Sequence, residues 1–548
     1  MLISCIVKYK NQALNYAFPV LFEKEETVRN MANRIFLMTA SISLMASVCS
    51  AASIVGSEDK LLQGSDFTYL GAFKVPPGAG KGDSTRDTSL TFGGELLTYS
   101  PHNNSLYIMG SRNMERMVYQ ISIPEPVKSS SLAALNTATF LSGGFDITGG
   151  IGWDALGVNN TILGNGGYPG GLLVFPKNHE KSKYMIGNSW AYYDGSGAAV
   201  NSHFYTNAVL PYSGYIANVK GYYAVGKRVD TPGKGNGGFV GGYMCWIPQA
   251  WREALGGKAL TGMGGISVIT RSSYGPSAWV FDPEDFFKPE ISANSLNNPV
   301  SADMLLGYPS AHTSLGAYAG ARLIHEATTY SREFFGNLGD MANSRAITPW
   351  GWNGSGAPRG IAFPEGSKSV LIFGRMGMGN SNYGAGDNAE GTLCYGPGTT
   401  IKSEAGRVGG QSCNDGKSTV GGGDHCCYDP TNTNKGGHAY PYKARIWAYN
   451  ADDLADVKKG TKYAWNVLPY AIWDFDFPYI DEAKNGSRDI GQVAYDPATQ
   501  RLFISQLITD NPGYARFPVI HVYRLNLGMQ ATSINGEIAA PVNLGFTK

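Results

Sequence analysis

Short apolar runs recur along the chain, and several pairs of them are joined by a turn that carries proline. "YSPHNNSLYIMGS" (99–111) and "YDPATQRLFISQ" (495–506) share an aromatic residue, one further residue, proline, a polar turn and an apolar run. "VFPKNHEKSKYMIGNSW" (174–190) and "AFPEGSKSVLIFGR" (362–375) repeat the pattern with phenylalanine before proline. Because aromatic and β-branched runs bounded by turn residues favour strands, each segment predicts two antiparallel strands and a tight turn.

A third strand is expected after each of these pairs. The candidates are "MVYQISIP" (117–124), "HFYTNAVL" (203–210), "ARIWAYN" (444–450) and "VIHVYRL" (519–525). "GYYAVGKRV" (221–229) and "AGARLIHEA" (319–327) are suited to be second strands of further units. Helical patterns are confined to "QAWREAL" (249–255) and "ADDLADVKKG" (451–460).

This repetition of small antiparallel units predicts an all-β fold, a β-propeller with long loop insertions. Division of the chain into units of about 60 to 80 residues favours seven blades. "DFTYLGAFKVP" (66–76) and "VIHVYRL" are expected to pair and close the ring. A large sandwich or a β-helix is less consistent with a repeated strand-turn-strand unit that carries long insertions.

Propeller geometry assigns residues to two faces. The turns between first and second strands lie on one face, called here the turn face, and the loops between second and third strands lie on the opposite, open face. His102 and His179 lie in proline turns and are expected to be solvated turn residues. The loops that begin at Arg112, Tyr193, Arg228, Arg375 and Gln506 are expected on the open face.

Composition narrows the class of protein. The 548 residues carry a net charge of +1, which gives no electrostatic footprint for nucleic acid. From Met31 a basic start, an apolar run and small residues near Ala51 predict a signal peptide over 31–52 and a secreted or periplasmic protein. Residues 1–30 then form an upstream extension, and 53–548 form a single propeller domain, expected to be a monomer with no membrane span.

Four of the seven cysteines lie in one insertion, 380–442. In an exported protein, two disulfides among Cys394, Cys413, Cys426 and Cys427 are expected, with Cys245 free or paired into that set. Asp424, His425 and His438 leave open a structural zinc site with these cysteines, although familiar zinc spacings are absent. A structural calcium ion in the Asp/Asn-rich loops is also left open.

The candidate chemistry lies on the open face. His203 and Tyr193 flank the glycine turn of "SWAYYDGSGAAVNSHFYT" (189–206), and His and Tyr are residue types that transfer protons. Arg112, Arg228, Arg375 and Arg516 follow or lie within open-face loops, and arginine binds carboxylate or sulfate through two nitrogens. Trp350 and Trp352, in a Gly-rich loop, could stack on sugar rings.

Other enzyme signatures are weak or absent. "WDFDFP" places Asp474 and Asp476 on one strand face, but paired glycosidase carboxylates usually come from different elements, so a structural role is favoured. No serine-hydrolase elbow, zinc-protease helix or phosphate-binding loop motif is present.

The chain resembles a group of exported bacterial propeller proteins through "YYD…SH" (192–203), "RGIAFPEGSKSVLIFG" (359–374), "HAYPYKARIWAYNADDL" (438–454) and "VAYDPATQRLFISQ" (493–506). More distantly it is similar to seven-bladed propeller lyases that cleave ulvan, a sulfated, uronate-containing polysaccharide. This resemblance implies catalytic His203, Tyr212 or Tyr193, and Arg228. The lyases carry a histidine pair upstream of the tyrosine, and here the partner would be His179, on the turn face.

Together these features predict a secreted lyase that cleaves an anionic polysaccharide by β-elimination and requires no cofactor. A non-catalytic carbohydrate-binding or surface-interaction propeller and a glycoside hydrolase using Asp474 remain the alternatives.

Overall fold

The chain folds as a β-propeller, and a computed structural model describes most of the residues between 60 and 527. The described residues are 60–78, 90–111, 117–153, 167–191, 199–208, 218–227, 236–264, 273, 275–308, 356–377, 382–387, 427–429, 435–438, 440–480, 489–513 and 515–527. Within them, five antiparallel sheets form five blades. The signal-peptide prediction and the upstream extension lie outside these residues.

Blades 1 to 3 follow one another along the chain. Blade 1 contains β2 (Leu97–Ser100), β3 (Ser105–Met109) and β4 (Val118–Ser122). Blade 2 contains β5 (Gly167–Val174), β6 (Tyr184–Ala191), β7 (His203–Asn207) and β8 (Lys220–Tyr223). Blade 3 contains β9 (Tyr243–Trp246), β10 (Ala259–Gly262), β11 (Ala278–Phe281) and β12 (Ala302–Leu306).

Blades 4 and 5 are less regular in chain order. Blade 4 contains β13 (Ala357–Ala362), β14 (Ser369–Gly377), β18 (Tyr442–Asn450) and β19 (Ala471–Phe475). Between β14 and β18, a separate sheet contains β15 (Asn382–Asp387), β16 (Cys427–Tyr428) and β17 (Lys435–His438). Blade 5 contains β20 (Ile490–Asp496), β21 (Arg501–Asp510) and β22 (Phe517–Leu525), with β1 (Phe67–Lys74) as its outer strand.

Helices are short and few in the described part of the chain. The α-helices are α1 (Gly237–Val240), α2 (Arg252–Leu255) and α3 (Ala451–Lys458), and the 3-10 helices are Gly64–Asp66, Leu132–Ala134, Gln249–Trp251, Pro283–Phe287 and Ala464–Asn466. The two helical patterns predicted from sequence are therefore confirmed. None of the described helices is long and apolar enough to cross a membrane.

The four proline-turn segments are confirmed as first and second strands, and the four segments expected to follow them are confirmed as third strands. The prediction of seven blades is wrong. Lys220–Tyr223, expected in a further unit, is instead the outer strand of blade 2, where Tyr205 of β7 pairs with Lys220. The segment 319–327, also counted toward a further unit, lies outside the described residues.

Close approach of backbones holds the first strands of the blades together. Contacts join β2 to β5, β5 to β9, β9 to β13, β13 to β20, and β20 to β2. A Cβ atom on Gly491 would lie 1.9 Å from the carbonyl oxygen of Gly94, and one on Gly242 would lie 1.8 Å from the amide nitrogen of Gly264. These positions therefore require glycine, because any side chain would overlap the neighbouring backbone.

Gln492 crosslinks the first strands of four blades. From β20, its Nε2 donates to the carbonyl oxygens of Gly170 in blade 2 and of Gly242 beside blade 3, the second at 2.8 Å. Its Oε1 accepts from the amide of Leu97 in blade 1 at 3.4 Å. The side chain is buried, so these bonds satisfy an amide that would otherwise be costly to bury.

The hydrophobic core lies within and between the blades. One cluster joins blades 3 and 4 through residues such as Leu306, Ile372 and Trp447, and another joins blades 4 and 5 through residues such as Phe373 and Ile504. This packing fixes the strand ends that carry the open-face residues.

Candidate functional site

An aromatic pair marks the open-face end of blade 2. Tyr168 is the second residue of β5 and lies opposite Trp190 near the end of β6. The two rings stack with their centroids 4.8 Å apart and an interplanar angle of 23°. Trp190 Nε1 donates to the carbonyl oxygen of Pro169 at 3.1 Å, which fixes the indole. Both side chains are half-buried, so part of this apolar surface faces solvent.

An arginine from blade 4 extends to this pair. Arg359 lies at a β-bulge of β13, where the register shifts between Pro358 and Gly360. Its Nη1 donates to the carbonyl oxygen of Gly264 at 2.7 Å, and its guanidinium carbon lies 5.9 Å from the centroid of the Trp190 ring. We call Tyr168, Trp190, Gly264 and Arg359 the aromatic–arginine site. It joins residues of three blades.

The charge of Arg359 is not matched by a carboxylate within the described part of the chain. Arg359 is half-buried, and within these residues its guanidinium contacts the Gly264 carbonyl and the Trp190 ring. A guanidinium carries five N–H donors in a planar fork, so donors remain for an anion. Aromatic surface beside this cation suits a ring that carries a carboxylate or a sulfate.

Arg375, predicted to bind anions, belongs to a neighbouring cluster at the end of β14. Its Nη1 lies 3.3 Å from Oδ2 of Asp489, and its guanidinium carbon lies 4.3 Å from the centroid of the Tyr442 ring. The Tyr442 hydroxyl donates to Oδ2 of the buried Asp429 at 2.7 Å. The charge of Arg375 is therefore already paired with a carboxylate, unlike that of Arg359.

Arg516, the other predicted anion-binding arginine within the described residues, anchors its own loop. Its Nη1 donates to the carbonyl oxygens of Gly513 and Ala515 at 2.9 and 3.0 Å. Its backbone amide donates to Oγ1 of Thr91 at 2.8 Å. These contacts orient the loop between β21 and β22, while its role in binding anions stays a prediction.

His203, the leading catalytic candidate, is completely buried at the start of β7. Its Nδ1 lies 2.8 Å from the Ser202 hydroxyl, and its Nε2 lies 3.1 Å from Oγ1 of Thr261. Because the Thr261 hydroxyl donates to Val240 O at 2.5 Å, a neutral ring with its proton on Nε2 satisfies the chain of hydrogen bonds. Burial lowers the pKa of His203 to about 3. The residue therefore lies between blades 2 and 3 as a neutral ring, and its catalytic role stays a prediction.

A second buried histidine shares this chemistry. His521 in β22 lies 2.8 Å from Oε1 of Gln506 and 3.1 Å from the Tyr69 hydroxyl, and burial lowers its pKa also to about 3. In the unfolded chain both rings take up a proton near pH 6.5. Below about pH 6.5 the unfolded state therefore binds more protons than the folded state. The free energy of unfolding is highest above this pH and decreases as the pH falls from about 6.5 toward 3.

We expect His203→Gln to make the free energy of unfolding less dependent on pH. Between pH 7 and pH 5 the wild-type protein should lose about 2 kcal/mol more than the variant, since the unfolded variant has no ring to protonate. Urea unfolding at the two pH values measures this difference. The matched variant His521→Gln should give the same sign. An equal pH dependence in wild type and His203→Gln would contradict the burial argument.

The remaining predicted site residues lie outside the described residues: Arg112, Tyr193, Tyr212, Arg228, Trp350, Trp352, Asp424, His425, Cys394, Cys413 and Cys426. For His438 and Cys427 only the backbone is described, in β17 and β16. The disulfides and the metal site in the insertion therefore stay predictions. Cys245 is a free thiol, which matches one of its two expected states.

Asp474, the carboxylate considered for a glycoside hydrolase, is held by a cross-strand ion pair. Arg445 Nε and Nη2 donate to its two carboxylate oxygens at 2.5 and 2.8 Å. The two residues lie opposite each other in β18 and β19, and Arg445 is buried. This bidentate pair supports the structural role favoured from the sequence.

The two turn histidines connect neighbouring blades. His102 Nε2 lies 3.2 Å from the carbonyl oxygen of Phe175 in the next proline turn, and His179 Nε2 lies 3.0 Å from Oε1 of Glu284 beside blade 3. Both side chains are partly buried, and both contact the next blade. The sequence predicted solvated turn residues and did not predict these contacts between blades. His179 lies in the proline turn that joins β5 to β6, on the turn face.

No protein-family model matches the chain, and no curated protein matches it at a significant level. The resemblance to the ulvan lyases therefore stays a prediction, and its implication of seven blades differs from the five described. Function has to be inferred from the open-face residues themselves.

Sequence reasoning missed Trp190, Tyr168 and Arg359. Trp190 stands in the same segment as His203, and Arg359 opens the repeat "RGIAFP". The signal that could have found them is position: each lies near the open-face end of a first or second strand, where side chains of different blades meet.

Proposed function

We propose that this protein is an exported lyase that binds an anionic polysaccharide on its open face and cleaves it by β-elimination. The observation that supports binding is the pairing of a half-buried Arg359, without a carboxylate partner among the described residues, with the stacked rings of Tyr168 and Trp190. An apolar face of a sugar ring can pack on aromatic carbon, while a carboxylate on the same ring accepts hydrogen bonds from arginine.

The proposed reaction removes the proton at C5 of a uronate. The electron pair of the C5–H bond forms the C4–C5 double bond, the C4–O bond breaks, and the leaving oxygen takes a proton. Arginine bound to the carboxylate stabilises the negative charge that develops there, and a histidine or tyrosine moves the protons. His203, Tyr193, Tyr212 and Arg228 stay the proposed proton-transfer and charge-stabilising residues, with Arg112, Arg375, Arg516, Trp350 and Trp352 proposed along the substrate.

The ultraviolet absorbance of unsaturated uronyl ends tests the reaction directly. Purified protein is incubated with ulvan, alginate, pectin and chondroitin sulfate, and a rise in absorbance with one of them is expected. Binding of the same polymers is measured in parallel by affinity electrophoresis. Absence of both absorbance and binding for all four polymers would overturn the proposal.

A non-catalytic carbohydrate-binding propeller is the second candidate, and the burial of His203 favours it. A histidine with no exposed surface and a pKa lowered to about 3 is poorly placed to take a proton from a sugar in the described conformation. Binding without any absorbance change would support this candidate over the lyase.

Cofactor requirement, oligomeric state, location and ring closure are also part of what we propose. The elimination needs no organic cofactor, and a structural calcium or zinc ion in the insertion stays open. The protein is proposed to act as a monomer outside the cytoplasm. Pairing of β1 with β22, over Phe67 to Lys74 and Val519 to Leu525, is proposed to close the ring of blades.

A further inference from the structure

An exposed aromatic ring stands on the turn face, at the opposite end of the blades from the aromatic–arginine site. Tyr463 is 64% exposed, the highest value among the large apolar side chains of the described residues. It follows α3 and precedes β19. This connection leaves β18 beside the proline turn of blade 4, where the amide of Ala451 donates to the carbonyl oxygen of Lys368 at 2.8 Å.

The ring is held flat by the tryptophan behind it. Tyr463 and Trp465 stack with centroids 4.8 Å apart and an interplanar angle of 7°. Trp465 is 9% exposed and belongs to the core that joins blades 3 and 4. Because one face of Tyr463 is covered by Trp465, its large exposed area belongs to the other face and the edges. A rigid aromatic face open to water can bind a flat apolar surface at small entropic cost.

The charges around this ring are balanced. Three lysines within the five residues before Tyr463 each have a carboxylate partner: Lys458 with Asp303 at 2.5 Å, Lys459 with Asp456 at 3.5 Å, and Lys462 with Asp453. Paired charges leave little net field to attract a polyanion. The patch therefore differs from the open face, where Arg359 has no such partner.

We propose that Tyr463 is a second carbohydrate-binding point, which takes an uncharged hexopyranose unit of a polysaccharide. The C–H groups on one face of the sugar pack on the open face of the Tyr463 ring. The hydroxyl groups at the sugar's edge lie toward the surrounding ion pairs, which offer both donors and acceptors. The site would hold the protein on a neutral polymer while the open face remains accessible.

Affinity electrophoresis in gels containing agarose, xylan, mixed-linkage β-glucan or soluble starch tests this inference. The wild-type protein should be retarded by at least one of these neutral polymers. Tyr463→Ala should bind that polymer about tenfold more weakly, the effect of losing one stacking contact. Tyr463→Phe keeps the ring and should retain affinity within about threefold. Thermal unfolding of each variant shows whether it is folded.

Arg359→Ala separates this inference from the proposed function. It should leave retardation by neutral polymers unchanged, and it should weaken binding only to anionic ones. No retardation of the wild-type protein by any neutral polymer, or equal retardation of wild type and Tyr463→Ala, would overturn the inference. Loss of neutral binding in Arg359→Ala with none in Tyr463→Ala would place the neutral site on the open face and overturn it as well.

Discussion

Arg359→Ala is expected to weaken binding of an anionic polysaccharide by about 10- to 100-fold, the effect of removing a charged hydrogen-bond donor from a partly buried site. The guanidinium lies over the Trp190 ring and is held by the Gly264 carbonyl, so its position is fixed before a ligand binds. Affinity electrophoresis with ulvan, alginate, pectin and chondroitin sulfate measures the loss. Higher salt should weaken wild-type binding and reduce the difference from the variant.

Two further variants distinguish a specific role of Arg359 from a general effect of positive charge. Arg359→Lys keeps the charge but lacks the planar fork, so it should recover only part of the affinity. Arg252→Ala removes an arginine of α2 on the turn face, whose Nε donates to the carbonyl oxygen of Ile247 at 2.9 Å, and it should change affinity far less. If Arg252→Ala weakened binding as much as Arg359→Ala, the effect would reflect the net charge of the protein and not the aromatic–arginine site.

Gly491→Ala is expected to lower the free energy of unfolding by about 3 kcal/mol or more, or to prevent folding. The added Cβ would lie 1.9 Å from the carbonyl oxygen of Gly94, which is backbone and cannot rotate away. The strands β20 and β2 would have to separate, and the buried hydrogen bonds of neighbouring Gln492 would be strained. Urea unfolding followed by tryptophan fluorescence measures the change.

Gly460→Ala is the matched control for backbone strain. Gly460 has φ of 78°, and an added Cβ would meet no atom within 4 Å. It should therefore cost about 1 kcal/mol, the strain of a side chain in the left-handed region. A loss in Gly491→Ala no larger than in Gly460→Ala would mean that the first strands are not tightly apposed.

Proline turns made most of the fold predictable from the sequence, whereas the count of seven blades came from dividing the chain length by a unit of about 60 to 80 residues. That division counted residues 378–441 as blade length, although they lie between β14 and β18 of blade 4. Trp246-Ile247-Pro248 carries the same aromatic-x-proline signal as Tyr99-Ser100-Pro101, but Gln249–Trp251 and α2 follow it instead of a tight turn. Blade 3 therefore lacks the full strand-turn-strand pattern, which identifies the other four described blades. The prolines that follow the first strands of the blades are 101, 176, 248, 364 and 497, one for each described blade.

The candidate site was less predictable because burial depends on neighbouring blades. A histidine at the start of a strand can face solvent or the core, and the sequence around His203 does not distinguish these. Phe281 and Phe286, which pack on its ring, lie 78 and 83 residues further along the chain. The contact of Arg359 with Trp190 likewise joins two blades, so no local sequence pattern predicts it.

The outer strand of blade 5 has a consequence for the order of folding. β1 pairs with β22 along its whole length, and Lys74 pairs with Val519, which lies hundreds of residues further along the chain. The hydrogen bonds of this pair therefore cannot form until nearly the whole chain has been synthesised. Until then β1 has an unpaired edge and an apolar face, the condition in which strands associate with other chains. Blade 5 is therefore expected to be the last to form during synthesis, and long-range pairing of this kind is intrinsically slow.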